Sequence, residues 1–211
     1  MGKDTAILYM IRHGMTFGNS LSRYIGTTDE PVLDTEPARL TALAEKYRET
    51  GQLPEQAASL WVSPLLRCRQ TAGIFYPDAT QRTVAELREC DFGRFENKNY
   101  KEMDGDPEYQ AWIDSNGTLP FPGGESVEGF TARTVRGLRQ AVEEAQAAGL
   151  REILLFVHGG SIMSILSACH ASERAYYEWH VQNAEGYRAE VDLEAFRRGE
   201  DCFLLRPEKI G

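Results

Sequence analysis

Two apolar segments of this sequence end in polar, chemically active side chains that are followed at once by glycine. The segment "LYMIRHG" ends in Arg12 and His13, and "LLFVHGG" ends in His158 followed by Gly159. A third segment, "VSPLLRCRQTA", places Arg67 in the first turn of an expected helix. Two arginines and two histidines that converge on one place would form a cationic site suited to a phosphoryl group. Each of them alone is more typical of a loop, core or surface residue, so the prediction depends on the repeated pattern.

Phosphoryl transfer at such a site needs a nucleophile and a proton donor in addition to cations. Neutral imidazole can attack phosphorus to form a phosphohistidine, and the leaving alkoxide then requires a general acid. The segment "VAELREC" supplies Glu86 and Glu89. A glutamate that is partly desolvated beside an anionic substrate has a raised pKa and can carry the proton. These observations do not choose between the two glutamates.

Alternating strands and helices are expected to bring these segments together. The pattern predicts strands or extended segments at 5–12, 58–63, 80–87, 151–160, 186–196 and 201–207. It predicts helices at 37–51, 64–75, 124–149 and 161–170, with short helices in "NKNYKEM" and "PEYQAWID". This alternation is typical of an α/β fold around a mostly parallel sheet, with the late strands as an antiparallel edge. In such sheets ligands bind at the carboxyl ends of the strands, where glycine-rich helix N-termini favour anions.

Composition and charge narrow the class of protein further. The 211 residues are 42% hydrophobic and carry a formal net charge of -9, which predicts one domain over residues 1–211. Such an acidic chain is a poor candidate for binding nucleic acid or an anionic membrane. The apolar run near the N-terminus is too short for a signal peptide or membrane span, and no metal-ligand or nucleotide-loop motif is present. The four scattered cysteines predict free thiols in a reducing compartment, so we expect a cytoplasmic protein. The sequence does not indicate an oligomeric state.

Five motifs between residue 7 and about residue 166 carry a family resemblance. They are "RHGMTFGN", "SPLLRCRQTA", "ELRECDFGRFE", "FPGGES" and "LLFVHGGSI". In this order they resemble the histidine phosphatase superfamily, the phosphoglycerate-mutase-like group. The resemblance implies a three-layer α/β/α sandwich and no metal or organic cofactor.

The resemblance also implies a role for each motif residue. His13 would be the phosphorylated nucleophile, while Arg12, Arg67 and His158 would hold the phosphate, with Gly159 at the helix N-terminus beside them. Asn19 matches the asparagine of the R-H-G-x-T-x-x-N pattern, which also reaches the phosphoryl oxygens. Glu89 matches the glutamate of the L-x-E-x-x-F-G pattern and would be the proton donor in preference to Glu86.

Some positions depart from the family pattern. Met15 stands where the family commonly has Glu or Gln, which suggests an altered pocket rim, and Gly14 is expected to let the backbone approach the phosphate. The mutases have a threonine where this chain has Ile25, and they carry a pair of adjacent arginines that this chain lacks. Both features help the mutases to hold a small, highly charged acid. Their loss favours net hydrolysis.

The pattern is most similar to the bacterial α-ribazole-phosphate phosphatase type, so the expected activity is hydrolysis of a small phosphorylated metabolite through a phosphohistidine. A cofactor-dependent phosphoglycerate mutase and a non-catalytic phosphate-binding protein are the alternatives. Six aromatic residues could line an apolar leaving-group site, although core packing is the expected role for most of them. These residues are Tyr24, Phe92, Phe95, Tyr100, Tyr109 and Trp112.

Overall fold

Six strands form one mixed sheet in the computed structural model, which describes residues 4–211. The strands in chain order are β1 (Thr5–Arg12), β2 (Ser59–Val62), β3 (Thr80–Thr83), β4 (Glu152–Val157), β5 (Gly186–Asp192) and β6 (Leu204–Ile210). Across the sheet the order is β3-β2-β4-β1-β5-β6. The first four of these lie parallel to one another, while β5 is antiparallel to both β1 and β6. The predicted α/β fold with an antiparallel edge is confirmed.

Seven α-helices accompany the sheet within residues 4–211. They are α1 (Phe17–Ser20), α2 (Glu36–Glu49), α3 (Leu66–Phe75), α4 (Pro107–Asp114), α5 (Val127–Ala147), α6 (Gly159–Cys169) and α7 (Leu193–Arg197). Local sequence explains where several of them begin. Asp106 accepts hydrogen bonds from the first backbone N–H groups of α4, and Ser126 does the same for α5. None of these helices is both long enough and apolar enough to span a membrane.

Alternating side chains of β1 pack on opposite faces of the sheet, because successive residues of a strand point in opposite directions. Leu8 and Met10 belong to an apolar cluster with buried residues of α5 and α6. Tyr9 and Ile11 belong to a second cluster with buried residues of α2 and α3. Helices therefore cover both faces, which produces the three-layer α/β/α arrangement.

A third apolar cluster, which we call the aromatic cluster, lies apart from the two sheet faces. The residue 90–130 segment supplies its buried members, with Tyr24 packed against them. Its rings contact one another closely, as shown by the centroid distances of 5.0 Å for Phe92 and Phe121 and 5.1 Å for Trp112 and Phe121. The cluster therefore forms a separate apolar wall built on loops and the short helix α4.

Some predicted elements differ from the observed ones. The segment "NKNYKEM" is a series of turns, because Asn97 has a φ of 57° and the Asn99 side chain accepts hydrogen bonds from two following backbone N–H groups. The predicted strand at 186–196 ends at Asp192, whose side chain caps α7. The predicted extended segment at 80–87 ends at Thr83 and continues as a 3-10 turn.

Candidate active site

The carboxyl ends of β1 and β4 bring the two predicted histidines together. These strands are parallel neighbours, with Arg12 opposite Val157, so the residues that follow each strand lie side by side. The ring centroids of His13 and His158 are 5.2 Å apart, and the backbone N–H of His13 donates to the carbonyl oxygen of Val157 over 3.0 Å. Both rings are buried. Adjacent strands thus explain why the two "HG" motifs converge.

One hydrogen bond orients the imidazole of His13. Nδ1 of His13 lies 2.7 Å from the carbonyl oxygen of Gly14, and a carbonyl can only accept, so Nδ1 carries the proton. Burial lowers the pKa of His13 well below its ordinary value, and the charges of Arg67 and Arg12 lower it further. The ring is therefore neutral, with its lone pair on Nε2, which is the form that can attack phosphorus.

His158 and Glu89 form the opposite side of the site. Nε2 of His158 is 2.7 Å from the hydroxyl of Ser63, and Nδ1 is 3.9 Å from a carboxyl oxygen of Glu89. Burial lowers the pKa of His158 well below its ordinary value. Burial also raises the pKa of Glu89, although the backbone N–H of Cys90 and the nearby arginines oppose this shift. A neutral histidine beside a glutamic acid is therefore favoured over an ion pair, which leaves Glu89 able to donate a proton.

The two arginines each combine a structural contact with a free donor. Arg12 donates to the carbonyl oxygen of Val181, whereas the fully buried Arg67 donates to the carbonyl oxygens of Ile25, Gly26 and Thr28. The Nε atom of each arginine is buried and has no hydrogen-bond partner among the described residues. A buried donor without a partner is costly. An anion in the cleft would satisfy Nε of Arg12, which lines it, whereas Arg67 and His158 are fully buried and are not among the residues that line the cleft.

Gly159 is the first residue of α6 and lies beside the side chain of Arg12. A Cβ atom at this position would lie 3.4 Å from Nε of Arg12, which is an ordinary van der Waals distance. The guanidinium therefore lies against the first turn of the helix, where backbone N–H groups favour an anion. Arg12, His13, Asn19, Glu89 and Gly159 all line one cleft with a volume of about 250 Å³.

Asn183 is a residue of this site that the sequence reasoning missed. Its Nδ2 atom donates to Oδ1 of Asn19 and to the carbonyl oxygen of His13, both over 3.1 Å. Because Oδ1 of Asn19 already accepts this hydrogen bond, the side-chain NH2 group of Asn19 is the part that can donate into the cleft. Asn183 lies in the loop before β5, and no motif used for the prediction included it.

The turn after His13 has further supports that were not predicted. The backbone N–H of Gly14 donates to the hydroxyl of Thr71 over 2.9 Å, and that of Met15 donates to the buried carboxylate of Glu36 over 2.7 Å. A Cβ atom at Gly14 would lie 2.8 Å from Cδ1 of Leu40, so packing against α2 accounts for this glycine. The expected approach of the Gly14 backbone to a phosphate is not needed to explain it.

Two other sequence expectations can be placed in the structure. Among the residues described, Met15 does not line the cleft. Glu86 lies in the 3-10 turn after β3, 3.6 Å from Arg136, with 37% of its side chain exposed. Glu86 is therefore an ordinary surface acid outside the cleft, in contrast to Glu89.

The aromatic residues singled out in the sequence divide into two groups. Tyr24, Phe92 and Trp112 line the cleft, together with Phe121, Phe130, Tyr176 and Tyr177, which the sequence reasoning did not single out. Phe95 and Tyr109 pack within the aromatic cluster, and Tyr100 is exposed elsewhere. Tyr24, Phe92 and Trp112 therefore combine both expected roles, because they pack in the aromatic cluster and also line the cleft.

Neither the thiols nor the carboxylates form an additional reactive centre in the described part of the chain. No group of three His, Cys, Asp or Glu side chains there is placed to hold a metal ion. The four cysteines are free, and Cys68 packs with its sulfur 3.5 Å from Nε2 of His158. Burial raises the pKa of Cys68 to about 12, so its thiol is not ionised and serves as packing beside the histidine.

Known proteins share this sequence pattern and fold. A broad-specificity phosphatase of Saccharomyces cerevisiae is 30% identical over 165 residues, which cover 75% of this chain and 68% of that protein. A 2,3-bisphosphoglycerate-dependent phosphoglycerate mutase of Gloeobacter violaceus is also 30% identical, over 76% of this chain and 74% of the relative.

Solved structures agree with this relationship. The crystal structure of a candidate alpha-ribazole-5'-P phosphatase from Escherichia coli superimposes with a TM-score of 0.77 at 20% identity, covering 98% of this chain and 96% of that one. A phosphoglycerate mutase from Thermus thermophilus superimposes with a TM-score of 0.66 at 27% identity, covering 97% and 98%. Residues 8–198 match the family described as the histidine phosphatase superfamily, branch 1. This chain belongs to the histidine phosphatase superfamily.

Proposed function

We propose that this protein hydrolyses phosphate monoesters through a phosphohistidine formed on Nε2 of His13. The observation that carries this proposal is the hydrogen bond between Nδ1 of His13 and the Gly14 carbonyl oxygen, in a site where the imidazole is neutral. It leaves a lone pair on Nε2 beside two arginines with unpartnered Nε donors. Nucleophile and anion-binding groups are therefore supplied by the same few residues.

The first chemical step transfers the phosphoryl group to the enzyme. Nε2 of His13 attacks phosphorus, so that a P–N bond forms while the P–O bond to the alcohol breaks. Arg12, Arg67 and the amide of Asn19 stabilise the phosphoryl oxygens. Glu89 gives its proton to the departing alkoxide, which leaves as the neutral alcohol.

The second step restores the enzyme. The Glu89 carboxylate takes a proton from a water molecule as its oxygen attacks phosphorus, the P–N bond breaks, and inorganic phosphate is released. Glu89 ends protonated and His13 neutral, as at the start. Neither step uses a metal ion or an organic cofactor, so we expect EDTA to leave the rate unchanged.

Two features favour hydrolysis over mutase activity. Ile25 lines the cleft at the position where the mutases have a threonine that helps to hold the substrate carboxylate. Arg23, which also lines the cleft, is paired with Glu102 over 2.5 Å and is therefore less available to a second anionic group. Water is then the favoured acceptor of the phosphoryl group from His13. We take a small phosphorylated metabolite as the substrate, with α-ribazole phosphate as the first one to assay, and a cytoplasmic location remains a prediction.

Trapping the phosphoenzyme tests the proposal directly. The protein is mixed with p-nitrophenyl phosphate, quenched in base, and mapped by mass spectrometry for a phosphate on His13. We expect the modification on His13, its loss together with turnover in His13→Ala, and its retention in His170→Asn, a control histidine outside the cleft. Phosphate release without a phosphoenzyme, or strong inhibition by EDTA, would overturn the mechanism.

A parallel assay separates hydrolase from mutase. The protein is incubated with 3-phosphoglycerate and 2,3-bisphosphoglycerate, and the products are identified. Free phosphate is the result expected for a hydrolase. Rapid formation of 2-phosphoglycerate would assign the protein to the mutases instead.

A further inference from the structure

We infer that the leaving-group end of the cleft binds an uncharged, ring-bearing apolar alcohol, so that the substrates are phosphate esters of aromatic or alicyclic alcohols. This inference rests on the proposed function, because it concerns the alcohol that the same site would release. It assigns a chemical class to the part of the substrate that the phosphate-binding residues do not contact.

The aromatic cluster forms one wall of this end. Tyr24, Phe92, Trp112 and Phe121 all line the cleft. The ring centroids of Tyr24 and Phe92 are 5.3 Å apart, and the Phe92 and Phe121 centroids are 5.0 Å apart, both in edge-to-face geometry. Tyr24 and Phe92 are only partly buried, in contrast to Trp112 and Phe121. A half-buried ring in a rigid aromatic cluster provides a preformed apolar surface for a ligand ring.

The proposed general acid lies at the junction between the two ends of the cleft. A Cβ atom built on Gly160 would lie 2.7 Å from a carboxyl oxygen of Glu89 and 3.1 Å from the ring of Phe130. The carboxyl group and this ring therefore approach the same point at the start of α6. An alcohol whose oxygen receives the Glu89 proton would have its carbon skeleton beside Phe130 and the aromatic cluster.

The charges along the cleft argue against an acidic leaving group. Arg23 is engaged by Glu102, with a further hydrogen bond from its guanidinium to Asn97. Burial lowers the pKa of His180, so this rim histidine favours its neutral form. Among the described residues that line the cleft, Arg12 is then the cation left without a carboxylate partner, and it belongs to the phosphate end. A carboxylate on the leaving alcohol would lose its hydration on binding, and no unpaired cation at this end of the cleft would compensate for that loss.

Three esters test this inference, because their primary alcohols all need protonation on leaving. The kcat/KM values are measured for benzyl phosphate, 2-hydroxyethyl phosphate and 3-phosphoglycerate. We expect benzyl phosphate to exceed each of the others by about 10-fold or more, since burying a phenyl ring is worth at least this factor.

Two variants of Phe92 test whether the preference for benzyl phosphate depends on the aromatic cluster. Phe92→Ala is expected to lower the ratio of kcat/KM for benzyl phosphate to kcat/KM for 2-hydroxyethyl phosphate by about 10-fold. Phe92→Leu should restore part of the preference, because it keeps apolar volume. Tyr100→Ala, which removes an aromatic ring that is 58% exposed and outside the cleft, should leave the ratio unchanged.

The outcomes distinguish this inference from the proposed function. Equal kcat/KM values, a preference for 3-phosphoglycerate, or an unchanged ratio in Phe92→Ala would overturn the inference while a trapped phosphohistidine still supported the hydrolase. Absence of both the phosphoenzyme and phosphate release with every ester would overturn the proposed function, and the inference with it.

Discussion

Asn183 hydrogen-bonds to Asn19 across 164 positions of the sequence, with Nδ2 of Asn183 donating to Oδ1 of Asn19 over 3.1 Å. The same amide lies 3.1 Å from the carbonyl oxygen of His13. One side chain therefore positions both the proposed nucleophile and the asparagine that faces the phosphoryl oxygens. Asn183 acts through these neighbours, so we regard it as a positioning residue.

Replacing this amide should impair catalysis without unfolding the protein. Asn183→Leu keeps the branching and number of side-chain heavy atoms but removes the Nδ2 donor, so Asn19 is free to turn and the turn after His13 loses a support. We expect kcat/KM for benzyl phosphate to fall by about 10- to 100-fold, because small displacements of reacting groups have effects of this size. The adjacent, exposed Gln182→Leu serves as the control and should stay near the wild-type value. Equal kinetics in the two variants would contradict the positioning role.

Glu89→Gln tests the assignment of the general acid. The amide has nearly the same shape but donates no proton to the leaving alkoxide. We expect kcat/KM, which reports phosphoryl transfer to His13, to fall by about 100-fold or more for benzyl phosphate and much less for p-nitrophenyl phosphate, because a good leaving group needs little protonation. Glu86→Gln, on the exposed face of the same segment, is the matched control. Equal losses on both esters would show that Glu89 is not the acid.

Arg67 is expected to stabilise the fold as well as the phosphate. Its two Nη atoms donate to three backbone carbonyls of the 25–28 segment, a geometry that a lysine ammonium cannot reproduce. Arg67→Lys should therefore lower the free energy of unfolding by about 3 kcal/mol, measured by urea denaturation without phosphate. The exposed Arg69→Lys, two residues along the same helix, should change it by less than about 0.5 kcal/mol. Similar values for the two variants would restrict Arg67 to a role in ligand binding.

Stability should decrease with acidification below the ordinary histidine pKa of 6.5. Burial lowers the pKa values of both His13 and His158, so below 6.5 the unfolded chain binds protons that the folded chain does not. The stability that the two neutral histidines contribute is complete above pH 6.5. It is lost as the pH falls, by at most about 1.4 kcal/mol per pH unit for each histidine. Urea denaturation at about pH 7.5, 6.5 and 5.5 measures the loss.

Glu89 provides an internal check on this pH dependence. Its pKa is raised by burial, so above the ordinary glutamate value the folded chain retains a proton that the unfolded chain releases. Acidification therefore favours the folded state through Glu89 and partly offsets the two histidines. Glu89→Gln should lose stability more steeply than the wild type on acidification toward the ordinary glutamate pKa of 4.5. A shallower slope in the variant would mean that the pKa of Glu89 is not raised.

Local patterns in the sequence were sufficient to predict the main elements and part of the site. Apolar runs and helix-capping residues act within a few positions, so the strands, the long helices and the strand-end residues Arg12, His13 and His158 could be located. Parallel pairing of neighbouring strands then required the two histidines to meet. The motif resemblance favoured Glu89 over Glu86, and the structure agrees in placing only Glu89 of these two in the cleft.

The tertiary structure alone decided which partners these residues have. The contacts of Asn183 with Asn19, of His158 with Ser63 and of Arg23 with Glu102 join positions far apart in the chain. Sequence periodicity reports which face of an element is apolar, but it does not report what packs against that face. The same limit applies to the aromatic residues, because the sequence does not show whether a given ring fills a core or lines a cleft. Packing of the aromatic cluster, which joins Tyr24 to residues 90–130, places Tyr24, Phe92, Trp112 and Phe121 along the cleft.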